Sequence, residues 1–79
     1  MKNTQAYILI ETLPGKSLEL IESAKAVPEI KEIHLVTGPY DVIARVEAAD
    51  LKLIGEMLVK KIRATGFVSR TVTCIVVEE

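Results

Sequence analysis

Few residues of this 79-residue chain are of types that do chemistry, and their spacing is spare. There is one histidine, His34, and one cysteine, Cys74. A protein metal site needs several such ligands converging, and no ligand spacing of that kind is present. One cysteine cannot close a disulfide within the chain, and its setting in "TCIVV" is that of a small hydrophobe. His34 has no nucleophile beside it in sequence, and Ser17, Ser23 and Ser69 lack an activating base. "GKS" at 15–17 has the look of the end of a phosphate-binding loop. The earlier glycine of that motif would fall at position 10, where Ile10 stands. Arg45 and Arg70 read by default as ion-pair partners. These residues point to no catalysis, no metal and no cofactor.

The stretch that stands apart is "VTGPYDVIARV" at 36–46, two apolar runs around the corner Gly38-Pro39-Tyr40-Asp41. Asp41 has two readings. It can be a turn carboxylate that caps nearby N–H groups. It can also accept the ammonium group of a small ligand, with backbone N–H groups around Gly38 free to meet a carboxylate. Glycine at 38 lets the chain turn with no Cβ in the way. An acceptor and a donor cluster side by side are what a zwitterion such as an amino acid requires.

The elements that must position this corner follow from hydrophobic periodicity. "QAYILIETL" at 5–13 reads as a first strand, ended by Pro14-Gly15. "KSLELIESAKAV" at 16–27 places Leu20, Ile21, Ala24 and Val27 on one helical face, and Pro28 ends it. "EIKEIHLVTG" and "YDVIARVEA" read as a second and third strand, joined as an antiparallel hairpin through Gly38-Pro39. Asp50 is a good N-cap for a second helix, "LKLIGEMLVKKIRAT", in which Leu51, Ile54, Leu58 and Ile62 recur at helical spacing. Gly66 suits its C-cap, and "FVSRTVTCIVVEE" reads as a fourth, β-branched strand. The order β-α-β-β-α-β predicts an α+β, ferredoxin-like domain over 1–79, a four-stranded antiparallel sheet with two helices on one face.

Such a sheet leaves a face uncovered. An antiparallel sheet with one wet face should alternate apolar and polar residues, and the first and fourth strands alternate poorly. Two helices shield one side only. The other would expose Leu9 or Ile8 with Ile43, Ile75 and Val77, more apolar surface than a soluble monomer usually carries. A second copy packed sheet to sheet about a two-fold axis is the expected remedy. His34, Ile43, Arg45, Ile75 and Val77 are the expected interface residues.

The formal net charge is −1, with no basic block, so a nucleic-acid surface is not indicated. The apolar runs are too short to span a bilayer, and the apolar stretch near the N-terminus stops at Glu11, which argues against a signal peptide. A cytoplasmic domain is expected.

"EIHLVTGPYDVIARVEAADLKLIGEMLVKKIRATGFVSRTVTCIVV" resembles the effector-binding (RAM) domain of the Lrp/AsnC regulators. The resemblance rests on Val36-Thr37-Gly38-Pro39-Tyr40-Asp41, then Asp50, then Gly66-Phe67, then Thr71-Val72-Thr73, and extends over essentially the whole chain. It implies dimers of face-packed βαββαβ units, as in dimeric α/β barrels. These would associate into tetramers to octamers with an amino-acid effector held between dimers. It further implies that the loop of Gly38, Pro39, Tyr40 and Asp41 lines the effector site, with Thr71 and Thr73 contributing. Pro39 stands where the family often has a charged or polar residue, and it removes one N–H. The chain opens on its first strand, without the helix-turn-helix that typical members carry. It therefore resembles the stand-alone form, expected to assemble with itself or with full-length regulators and not to bind DNA directly.

Two other readings share the strand order. A small dimeric α+β barrel enzyme would need a base inside the sheet-to-sheet cavity, with only His34 and Arg45 available. An ACT-like regulatory domain would pair its sheets edge to edge.

Overall fold

The computed structural model describes residues 3–78, and the statements that follow concern these. Strand β1 (Thr4–Thr12) leads through the Pro14-Gly15 turn into helix α1 (Ser17–Ala24). Strands β2 (Ile30–Leu35) and β3 (Val42–Ala48) follow, then helix α2 (Leu51–Met57) and strand β4 (Val68–Ile75). The sheet order is β2-β3-β1-β4, with every neighbouring pair antiparallel. β3 thus lies between β1 and β2, and β1 between β3 and β4. Each βαβ unit is split by a strand of the other, which is the ferredoxin-like arrangement read from the sequence.

The register assigns the two faces. Ala6, Ile8 and Ile10 lie across from Val46, Ala44 and Val42, and all six are sealed from solvent. Leu20 of α1, Ile54 and Met57 of α2, and Ile62 just beyond it close over them. Each fully buried aliphatic side chain here contributes about 1.5–3 kcal/mol of transfer free energy. The opposite face carries Tyr7, Leu9, Ile43, Arg45, Val72 and Cys74, with His34 across from Ile43. Tyr7 is 44% exposed and Cys74 is exposed.

Of the expected interface residues, Ile75 is placed on the other side and Val77 lies beyond the paired strand. Ile75 lies across from the buried Ala6, so it belongs to the helix side, at the outer edge strand β4. Val77 lies past the end of β4 and is 93% exposed, so strand parity no longer fixes its side. The reason is the register. β4 pairs with β1 so that Val72 and Cys74, not Ile75, join Tyr7 and Leu9.

The helices differ in detail from the periodicity reading. α1 ends at Ala24, earlier than the apolar pattern, although Val27 stays buried through a turn that its N–H makes with the Ala24 carbonyl at 3.0 Å. α2 begins as expected, with Asp50 Oδ1 accepting the Leu53 N–H at 2.9 Å. It then widens into a π-type turn at Leu58–Ile62 and tightens into a 3₁₀ turn at Arg63–Thr65. Gly66 ends the segment at φ 81°, a left-handed cap that suits glycine. Glu29, in the loop before β2, pairs with Lys61 at 3.2 Å and ties this segment down. The Glu29 carboxyl is held below its ordinary value of 4.5, first by a hydrogen bond from its own backbone and then by Lys61.

Candidate functional site

The corner between β2 and β3 is closed by its own backbone, the Val36 N–H donating to the Asp41 carbonyl at 2.9 Å. Gly38 takes φ 129°, a conformation that L side chains rarely adopt. The Asp41 N–H donates to the Ile10 carbonyl at 2.9 Å and so extends the β1–β3 ladder by one rung.

The next rung is made by a side chain. β1 pairs regularly with β3 as far as Ile10 and Val42, while on its other edge β4 carries the extra residue Ser69 between the partners of Glu11 and Thr12. The Thr12 N–H points across to where β3 has already turned away into the corner. Asp41 Oδ2 accepts that N–H at 2.9 Å and the Thr12 hydroxyl at 3.3 Å. The Thr12 and Ser17 hydroxyls are themselves 2.7 Å apart, which carries the network to the first residue of α1. The capping role considered for Asp41 is therefore present. It occupies one carboxylate oxygen. Oδ1 takes no hydrogen bond among the described residues, and since no unpartnered polar side-chain atom is buried there, it reaches solvent.

Asp41 lines a cleft of about 440 Å³ together with Glu11, Thr12, Leu13, Pro14, Gly15, Ser17 and Ser69. The cleft lies at the end of β1, where strand, turn and helix meet. No lysine or arginine lines it, so its formal charges are the carboxylates of Asp41 and Glu11. Ser69 holds Glu11 in place, its hydroxyl donating to the Glu11 carbonyl at 3.0 Å and lying 2.9 Å from Oε1. The first-turn N–H groups of α1 face no side-chain cap, because Lys16 in the cap position supplies none. Tyr40 is fixed from β4. Arg70 Nη2 donates to its hydroxyl at 2.8 Å, and the guanidinium sits 5.1 Å from the ring centroid.

The expected site residues are only partly brought together within one chain. Gly38, Pro39, Tyr40 and Asp41 share the corner, and Asp41 reaches the cleft. Thr71 and Thr73 lie on the helix side of β4, across from Ile10 and Ile8, and do not line the cleft. Thr71 instead accepts from Arg63 Nη1 at 3.2 Å. Of the expected interface residues, His34, Ile43 and Arg45 are on the open face. Arg45 sits in an acidic clamp, 2.7 Å from Glu47 and 3.4 Å from Glu32, and His34 lies 3.7 Å from Glu32. The Glu47 hydrogen bond raises the Arg45 pKa above its ordinary value, with the charge of Glu32 acting the same way. The 440 Å³ cleft has neither His34 nor Arg45 in its wall.

Sequence reasoning missed Thr12, Ser17, Glu11 and Ser69. For Thr12 a signal was present. It is the polar member of the series Ala6, Ile8, Ile10, Thr12 on the core side of β1, and it is 8% exposed.

A βαββαβ sheet with a hydroxyl-lined, acidic cleft at one end has room for a small molecule there. The family model described as "Lrp/AsnC ligand binding domain" matches residues 5–79, and the chain belongs to that family. The uncharacterised HTH-type transcriptional regulator PH1916 of Pyrococcus horikoshii is 35% identical over 75 residues, covering 91% of this chain and 50% of the relative. PF0250 of Pyrococcus furiosus, of the same description, is 32% identical over the same shares. The chain thus spans about half the length of the curated relatives it matches. Among solved structures, FFRP-DM1 superposes with a TM-score of 0.88 at 38% identity, over 94% of this chain and 99% of that one. The regulator NMB0573 of Neisseria meningitidis, solved as an L-Met complex, gives 0.87 at 18% identity over 96% and 51%. At that identity the likeness shows the fold alone. No helix among the described residues is long and apolar enough to cross a membrane.

Proposed function

We propose that this chain is a non-enzymatic amino-acid-binding and oligomerisation module that modulates transcriptional regulation of amino-acid metabolism. The observation that carries it is the half-occupied Asp41 carboxylate, pinned through Oδ2 and open at Oδ1, in the wall of a 440 Å³ cleft. A carboxylate with one free oxygen and no neighbouring lysine or arginine in the cleft suits an ammonium group. Uncapped N–H groups at the start of α1, close to Ser17, suit the carboxylate of the same ligand. Gly38, Pro39 and Tyr40 shape the corner.

The open face, with Tyr7, Leu9, Ile43, Val72 and Cys74, packs on a second copy in this reading, and His34 and Arg45 sit at that interface. Dimers then associate into tetramers to octamers. Thr71 and Thr73, which one chain holds away from its own cleft, contribute to an effector site between dimers. Ligand binding biases assembly by its differential affinity for the assembled state. Partners are the chain itself and full-length regulators of the same family, with no direct contact to nucleic acid, in the cytoplasm. An enzyme built on the sheet-to-sheet cavity has less support, since His34 and Arg45 are engaged with carboxylates.

Calorimetric titration with each of the twenty standard amino acids, beginning with L-methionine, tests the reading alongside gel filtration. Binding of at least one amino acid, lost when its amine is acetylated and accompanied by a change in assembly size, is the expected result. No heat and no size change with any of them would overturn it.

A further inference from the structure

Thr12 is the buried polar side chain of the core side, and it sits where the β1–β4 pairing shifts register, the extra residue Ser69 lying in β4. Strand irregularities of this kind re-aim a side chain or a backbone group at the rim of a sheet. On the opposite edge of β1, toward β3, the Thr12 N–H leaves the backbone ladder for a carboxylate. The same residue presents its hydroxyl to the same oxygen, Asp41 Oδ2, and rests against the Ser17 hydroxyl at 2.7 Å. Two donors from one residue converge on one oxygen, which defines the side-chain torsion of Asp41 and leaves the other oxygen unspent.

We infer that Thr12, backed by Ser17, is a positioning residue for the ligand carboxylate of Asp41. The inference rests on the ammonium-acceptor role proposed above. Thr12 touches no ligand in this scheme. It holds Asp41 in one rotamer, so that Oδ1 meets the incoming ammonium without a side-chain search. The backbone N–H alone is a single point about which the carboxylate can swing, and the hydroxyl supplies the second point. Ser17 orients that hydroxyl, and because Ser17 opens α1, the same contact joins the cleft to the helix layer. The nearby Lys16 is engaged elsewhere, paired with Glu19 at 3.2 Å on the exposed side of α1.

Three variants, Thr12→Val, Thr12→Ser and Ser17→Ala, separate this from a simple packing role. Two readouts are used: the dissociation constant for the tightest-binding L-amino acid, and the Asp41 side-chain rotamer from NMR scalar couplings in the ligand-free chain. Thr12→Val keeps the backbone N–H but loses the hydroxyl. The expected result is a single Asp41 rotamer in the unmodified chain, averaging in Thr12→Val, and affinity weakened about tenfold. Thr12→Ser restores both, and Ser17→Ala weakens binding about threefold. Thermal melting of each variant checks that the fold is kept. The serine variant, lacking only a methyl group, keeps the comparison valid if the valine variant unfolds. An Asp41 rotamer that is already averaged in the unmodified chain, or that stays single without the Thr12 hydroxyl, overturns the inference. So does a serine variant that binds as poorly as valine. If the unmodified chain binds no amino acid, the functional reading fails on its own, and the rotamer comparison alone then decides the positioning claim.

Discussion

The two faces of the sheet are built from the same strands and end in opposite situations. On the helix side, Ile8 and Ile10 meet Ala44 and Val42 under α1 and α2, and no solvent reaches them. On the other side, Leu9 and Ile43 meet each other with no element above them, flanked by Tyr7, Val72 and Cys74. The chain invests apolar residues in both. One face is satisfied by the chain's own helices, and the other leaves apolar surface open, which a second copy covers in the proposed reading. The charges mark the difference too. The helix side has Thr12 as its buried polar group, while the open side carries the Arg45, Glu32 and Glu47 clamp toward one end.

The largest expected effect breaks the covered side. Ile8→Ala should lower unfolding free energy by about 2–5 kcal/mol, measured by urea denaturation, because a sealed aliphatic leaves a cavity. Next comes the open side. Ile43→Lys should weaken self-association by about 3 kcal/mol or more, since an unpaired ammonium would be buried at the interface. Sedimentation should follow this change while the circular dichroism spectrum stays unaltered. Ile75→Lys is the sharpening control. With Ile75 on the helix side at the sheet edge, its association constant should change far less than that of Ile43→Lys. Equal effects would mean that the two faces are not distinct in the way the register assigns them.

Smaller effects lie where the faces meet and in the helix layer. Asp41→Ala should cost about 1–3 kcal/mol of stability, as the Thr12 N–H loses a charged acceptor, and should abolish amino-acid binding in the same titration. Asp50→Ala should cost about 1 kcal/mol through loss of the α2 N-cap, read from thermal melts. The smallest concerns Glu29, whose carboxyl is depressed below 4.5 in the folded chain. A depressed carboxyl stabilises the fold above its unfolded value, and that contribution fades as pH falls through the lower folded value. Wild type should therefore exceed Glu29→Gln in stability above pH 4.5, with the gap closing under acid.

Much of this comparison was legible in the sequence. Period-two alternation gave the strand parities, Asp50 and Gly66 marked the ends of the second helical segment, and the element order fixed the topology. Which parity of β4 faces the helices was not legible. That depends on the pairing of Ala6 with Ile75, in a run that stays in register as far as Glu11 and Arg70, a tertiary property that one strand's pattern does not encode. The change from α-helix to wider and tighter turns after Met57 was hidden for a similar reason, since apolar spacing at Leu58 and Ile62 reads the same in either geometry. At the site, the corner and Asp41 were visible from residue types. The cleft was not, because its other walls, Glu11, Ser17 and Ser69, come from three separate elements that only folding brings together.

The central claim is that the uncovered side is paired with another copy in solution. Sedimentation equilibrium of the unmodified chain at micromolar concentration measures it directly. The account predicts a mass of at least twice 8.7 kDa, and a species of 8.7 kDa alone would contradict it.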